Sequence, residues 1–216
     1  SSLEFMEKDA LILVRDQGYE DLPFIIKDTT DAYLLIELDG SNKDRLIIES
    51  DKIYSILQKY KCGEILFAED KLEQDRLWKI RRSIGLAVKS FSIYKEEDTV
   101  VPRACLADLL VGVKKIGKQY NFRSICYGHA GDGNLHINIL KEGLTAYEWS
   151  SLLKIAIKEI FELCVKLGGT LSGEHGIGYV QKDYMNIAFL KNNLDLQKQI
   201  KYLFDPKNIL NPGKVF

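Results

Sequence analysis

Tyr127-Gly-His-Ala-Gly-Asp-Gly-Asn-Leu-His-Ile-Asn138 is the stretch on which the reading of this chain turns. Its second half alternates: Leu135, Ile137 and Ile139 share one face, and His136 and Asn138 share the other, which is the period of a strand. Residues 123–129 read as a second strand, so Ala130-Gly131-Asp132-Gly133 becomes the tight turn joining the two. The chain has three histidines. Two, His129 and His136, flank this turn, and His175 follows in Ser172-Gly-Glu-His-Gly-Ile-Gly178. Histidine suits proton transfer near neutral pH and is a common metal ligand. Three of them, all set among glycines, indicate chemistry rather than packing.

Toward the N-terminus, residues 32–38 read as a buried strand ending at Asp39-Gly40. A helix is expected over 43–60, with Leu46, Ile53, Leu57 and Tyr60 on one face and Gly63 placed to end it. Residues 64–68 read as a short strand. A second amphipathic helix is expected over 70–89, with Leu77, Ile80, Ile84 and Val88 as its apolar stripe. At about 100° per residue, Arg81 projects within about 40° of Leu77, inside that stripe, and Arg82 points outside it. A guanidinium on a core face must find an anion. Either an internal Asp or Glu pairs with it, or it grips a substrate carboxylate bidentately.

Residues 98–101 form the next predicted strand, and Pro102 opens a helix to about residue 118. Beyond the hairpin, Thr145-Ala-Tyr-Glu148 has the capping-box pattern and starts a long helix that Gly168-Gly169 ends. A strand at 170–171 delivers the Glu174-His175 segment. One or two helical pieces run to about residue 204, followed by a turn-rich tail. The alternation implies an α+β fold with an antiparallel sheet and helices packed on one face, ferredoxin-like, single or duplicated, with 1–216 as one domain.

Hydrophobic content of 46%, charged content of 28% and a net charge of −1 give no support to nucleic-acid binding. No apolar stretch approaches the roughly 18 residues of a membrane span. The start Ser-Ser-Leu-Glu-Phe-Met suggests a piece of a longer protein. Cys62, Cys105, Cys126 and Cys164 contain no Cys-x-x-Cys and read as buried, reduced thiols of a cytoplasmic protein.

Gly131-x-Gly133-x-x-His136 lacks the third glycine of a dinucleotide fingerprint and joins strand to strand, and no Gly-Lys-Ser/Thr loop exists. Nucleotide-fold readings therefore fail. His129, His136 and Glu174 offer two imidazoles and a carboxylate, a set used by catalytic zinc and suited to other divalent metals. The competing reading has both imidazoles bonding turn backbone. Glu174 and His175 diverge from adjacent positions, so one can bind metal while the other serves as general base. Alternatively His175 caps a helix.

Tyr127–Asn138, Ser172–Gly178 and Asp205-Pro-Lys-Asn-Ile-Leu-Asn-Pro-Gly-Lys214, with Trp78-Lys-Ile-Arg81 and Asp98-Thr-Val-Val-Pro102, resemble the C-terminal domain of the FAD-linked oxidases. That is the family of the glycolate oxidase flavin subunit, D-lactate dehydrogenases and D-2-hydroxyglutarate dehydrogenase. The resemblance implies a D-2-hydroxy acid substrate oxidised to the 2-oxo acid, and a divalent metal, zinc foremost, on His129, His136 and Glu174. It implies His175 as the base, Arg81 as the carboxylate grip and Asn138 as a pocket wall. Asn211 and Lys214 would lie near FAD, most of which a preceding domain would bind. An iron–sulfur or other electron-acceptor subunit would be a partner and could bring the protein to a membrane periphery. The chain departs from the family pattern in two ways. Nothing here resembles the flavin domain's pyrophosphate loop, and where some members place a lysine just before the Asp-x-x-x-Pro strand, this sequence has Glu96 or Lys95 nearby instead. A metal-binding scaffold subunit and a metal-dependent hydrolase are the rival readings.

Overall fold

Strand β1 (Ser2–Glu7) opens the chain, buried from Glu4 onward. It leads directly into helix α1 (Lys8–Asp16), which buries Ala10, Leu11, Leu13 and Val14. The computed structural model describes residues 1–60 and 62–216. It divides them into two compact units, Ser1–Phe91 with Tyr127–Gly131, and Ser92–Cys126 with Asp132–Phe216.

In the first unit β1 pairs antiparallel with β2 (Ala32–Glu37) on one side and with the end of β4 (Ser124–His129) on the other. Glu4 lies opposite His129 in that ladder. Strand β2 forms as expected but is only half covered, with Leu34 51% exposed. Helix α2 (Lys43–Lys59) is capped by Asn42, whose side chain accepts from the Arg45 amide, and it buries no residue. It ends at Tyr60, before Gly63. Residues 64–68, expected as a strand, make no ladder; Leu66 and Phe67 are exposed, and Phe67 tilts against Tyr54. An apolar run becomes a strand only where an edge receives its backbone groups. Helix α3 (Lys71–Phe91) packs on α1 and buries Ile80, Arg81, Ser83, Ile84, Ala87 and Val88, while Arg82 is exposed. The angular placement of the two arginines therefore holds.

In the second unit the strand order is β4-β5-β3. Strand β5 (Asn134–Leu140) is buried along its whole length, and Leu135, Ile137, Ile139 and Leu140 are fully enclosed. Strand β3 (Tyr94–Val100) is longer than expected and pairs antiparallel with β5, setting Asp98 opposite His136 and Glu96 opposite Asn138. Pro102 precedes a 3-10 turn (Arg103–Cys105) and helix α4 (Leu106–Gln119). The capping box is made: Glu148 accepts from the Thr145 amide at 2.7 Å, and Thr145 Oγ1 accepts from the Glu148 amide at 3.2 Å. A π-helical turn (Glu148–Leu152) leads into α5 (Leu153–Lys166). The Gly168 and Gly169 amides then close the helix on Val165 and Cys164, Gly168 at φ +85°. At 170 the chain makes a single bridge to Val100 instead of a strand. A second 3-10 turn (Lys182–Tyr184), α6 (Met185–Ala188) and α7 (Lys191–Phe204) complete the unit. No disulfide joins the cysteines among the described residues, and Cys62 is exposed and Cys105 half-buried, contrary to four buried thiols. Burial pushes the Cys164 thiol up to about 11.

The turn glycine Gly133 sits at φ +75°, and a Cβ there would fall 1.9 Å from the Val101 carbonyl oxygen, which is backbone and cannot move aside. Gly133→Ala is expected to cost on the order of 3 kcal/mol, combining left-handed strain with that clash. Urea denaturation of the full-length protein measures it.

Candidate active site

The segment bearing Glu174 and His175 has no regular secondary structure of its own; it hangs on one carboxylate. Asp98, 1% exposed on β3, accepts from the Glu174 amide at 2.8 Å and the His175 amide at 2.8 Å. Its Oδ2 also accepts from Ser172 Oγ at 2.9 Å, and its Oδ1 from Asn134 Nδ2 at 2.6 Å. Burial alone would raise the Asp98 carboxyl, but these backbone and side-chain donors outweigh it and hold the group below its ordinary 3.8. Gly173 is obligatory here: a Cβ would lie 2.0 Å from Asn134 Nδ2. Ser172 Oγ in turn accepts from the Gly176 amide, which closes the loop.

Thus held, Glu174 and His175 meet His136 of β5. His136 Nε2 lies 3.2 Å from Glu174 Oε1, and His175 Nε2 lies 3.8 Å from the same oxygen. The His136 and His175 rings stack at 5.1 Å. His136 is buried, while the Glu174 and His175 side chains are about half exposed and open to a ligand. Glu96, from the same face of β3 as Asp98, places Oε1 3.5 Å from His136 Nδ1. Burial pushes the Glu96 carboxyl up, helped by Asp98 and Glu174 and opposed by His175 and Lys95. Asn138 is buried and donates to the Ile125 carbonyl at 3.2 Å.

Two further predicted residues, His129 and Arg81, meet in the first unit on Glu4. His129 Nδ1 is 2.9 Å from Glu4 Oε1, and Arg81 Nη2 is 2.8 Å from Glu4 Oε2. The Arg81 guanidinium also stands 4.8 Å above the Tyr127 ring. Burial raises the Glu4 carboxyl, yet the hydrogen bonds of His129 and Ser2 and the charge of Arg81 bring it below its ordinary 4.5. Of the two readings of Arg81, the internal acid is thus present. Its Nε is nevertheless buried with no hydrogen-bond partner among the described residues.

Asn211 and Lys214 lie together in the tail, Lys214 Nζ donating to Asn211 Oδ1 at 3.1 Å. They line a groove of about 530 Å³ with Gly178, Phe204, Leu210 and Phe216. Asp205 anchors the tail, accepting from the Ile209 and Leu210 amides and from Lys201.

The description "FAD linked oxidases, C-terminal domain" fits residues 1–215. The chain belongs to this family. The domain is 35% identical to glycolate oxidase subunit GlcD of Bacillus subtilis (strain 168), over 100% of this chain and 45% of that protein. It is 35% identical to a D-lactate dehydrogenase of Archaeoglobus fulgidus, over 99% and 45%, and 28% identical to a D-2-hydroxyglutarate dehydrogenase of Stutzerimonas stutzeri, over 100% and 47%. The domain thus spans about half the length of these relatives. Substrate-bound p-cresol methylhydroxylase shares its fold at a TM-score of 0.67 and 12% identity, covering 99% of this chain and 46% of that one.

Sequence reasoning passed over Glu4 and Asn134 as functional residues, and it met Glu96 only as a departure from the family pattern. It met Asp98 only as part of a family motif. A buried-strand carboxylate flanked by glycine-spaced partners shows its role only once the loop folds onto it. For Glu4 the signal was the acid at the fourth position of an otherwise apolar N-terminal run, Leu3-Glu4-Phe5-Met6. Among the described residues no helix is long and apolar enough to cross a membrane.

Proposed function

We propose that this domain is the substrate-binding half of an FAD-dependent oxidoreductase that converts a D-2-hydroxy acid to its 2-oxo acid. The observation that carries the reading is the His136–Glu174–His175 cluster, clamped through Asp98 so that a divalent ligand pair and a half-exposed imidazole sit side by side. The donor chemistry fits a divalent metal: an imidazole nitrogen and a carboxylate oxygen already converge, at 3.2 Å. We assign His136 and Glu174 as two of its ligands, and the family resemblance implies His129 as a third. Glu4, accepting from His129 Nδ1, keeps the proton there and directs the lone pair to Nε2.

When bound, such a metal lowers the pKa of the substrate hydroxyl and fixes its orientation. A flavin, which a further domain of the parent protein would chiefly hold, would supply the acceptor for the C2 hydride. His175 takes the hydroxyl proton at a ring nitrogen as the C2–O bond becomes a carbonyl, so charge and atoms balance. The Asp98 clamp on the His175 amide holds that base in place. Arg81 is assigned to the substrate carboxylate on the family resemblance; its Nε, on the same edge as the Nη2 that Glu4 holds, has no hydrogen-bond partner among the described residues. Asn211 and Lys214 are assigned to the flavin side.

The test is made on the full-length protein. A D-2-hydroxy acid should bleach the flavin; His136→Ala should lose both metal and turnover, and His175→Ala should lose turnover with its metal content intact. Full turnover in His175→Ala would remove it as base, and unchanged metal content in His136→Ala would remove the metal site.

A further inference from the structure

Strand β3 alternates its charges across the sheet. Lys95 and Glu97 point to the face of Ile139 and Ile137, opposite which they pair, and Lys95 Nζ reaches Glu97 Oε1 at 3.2 Å. Glu96 and Asp98 point to the face of Asn138 and His136. Asp98 is consumed by four donors. Glu96 is not: its side chain is 31% exposed, and one of its oxygens lies within 4.8 Å of ring nitrogens of both His136 and His175. Lys95, the nearest cation in sequence, is held on the far face by Glu97.

We propose that Glu96 is a specificity-determining residue, which restricts the substrate to 2-hydroxy acids with a single carboxylate. The proposal rests on the function proposed above. If His175 accepts the hydroxyl proton, the substrate's C2 lies against the His136–His175 stack, and Glu96 forms the adjoining wall. A short neutral substituent on C2, hydrogen or methyl, meets that wall without charge. A substituent ending in a second carboxylate brings like charge to within a few ångströms of Glu96 in a partly desolvated site, where repulsion is strong. Rejection of the wrong substrate by a placed like charge is an established route to specificity.

The experiment compares D-lactate with D-2-hydroxyglutarate as reductants of the flavin in full-length wild type, Glu96→Gln and Glu96→Lys, and measures pyruvate and 2-oxoglutarate binding by calorimetry. Wild type should favour the monocarboxylates in both assays. Glu96→Gln should narrow the ratio of kcat/KM by about 10-fold and Glu96→Lys by about 100-fold, the range expected for removing and then reversing one nearby charge. The calorimetric preference should move in parallel, and retained pyruvate binding shows that a variant is folded. A wild-type preference for the dicarboxylates, or a ratio unmoved in both variants, overturns the proposal while leaving 2-hydroxy acid oxidation standing. If no 2-hydroxy acid reduces the flavin, both fall.

Discussion

Asp98→Ala is expected to destabilise the protein by about 3–5 kcal/mol and to abolish turnover, because one truncation strands four buried or half-buried donors. The Asn134 amide, the Ser172 hydroxyl and the amides of Glu174 and His175 all converge on that carboxylate. The loop bearing Glu174 and His175 has no ladder to hold it afterwards. Asp98→Asn keeps the shape but replaces one acceptor oxygen with a donor aimed at other donors, so it should recover only part of the loss. The linkage has a definite sign. The folded-state carboxyl lies below its ordinary 3.8, so the clamp's contribution is complete above that value. It is lost as pH falls through the lower folded value. Urea titrations at pH 7 and near pH 3 should therefore show a gap between wild type and Asp98→Ala that narrows on acidification. An undiminished gap at the lower pH would show that packing, and not charge, sets the effect.

Arg81→Met is expected to cost about 3–5 kcal/mol, since it leaves Glu4 buried with its principal cation removed. The side chains of the pair are 10% and 4% exposed, too enclosed for water to replace the lost partner. The double variant Glu4→Gln with Arg81→Met should recover most of that stability, because neither charge then remains to be solvated. The same pair of variants separates a structural from a substrate role. If Arg81 only neutralises Glu4, the folded double variant turns over like Glu4→Gln alone. If Arg81 grips the substrate carboxylate, it stays defective, with the loss concentrated in KM. The Glu4 carboxyl is also lowered, from 4.5, so the pair stabilises above that pH and fails as pH falls through the folded value.

Much of this was legible in the sequence because the signals were local. The capping box at Thr145 and Glu148, the Gly168-Gly169 stop and the alternation of β5 are each set by neighbours within a few residues. Arg81 could be placed in the apolar stripe from helix geometry alone. What could not be read was any feature whose partner is remote. Strand β1 has only six residues, and its identity depends on ladders with residues 32–37 and 127–129. Residues 64–68 have the composition of a strand but no edge to receive them. Likewise the two residues assigned to one ligand group divide by environment, His136 with Glu174 and His129 with Glu4, which residue type alone does not disclose. The FAD-linked oxidase membership and the α+β class were both visible in the motifs, and both stand.

The placement of β1 between β2 and β4 also bears on how the chain reaches its fold. Glu4 faces His129 across a ladder, so closing that contact loops out more than a hundred residues, among the slower events available to a domain. During synthesis the first unit stays unfinished until residue 131 has left the ribosome, with one margin of β1 exposed to any passing strand. Cutting the gene after Phe91 would deliver that unfinished species permanently. A separable first unit is instead to be sought by grafting Tyr127–Gly131 onto it through a linker.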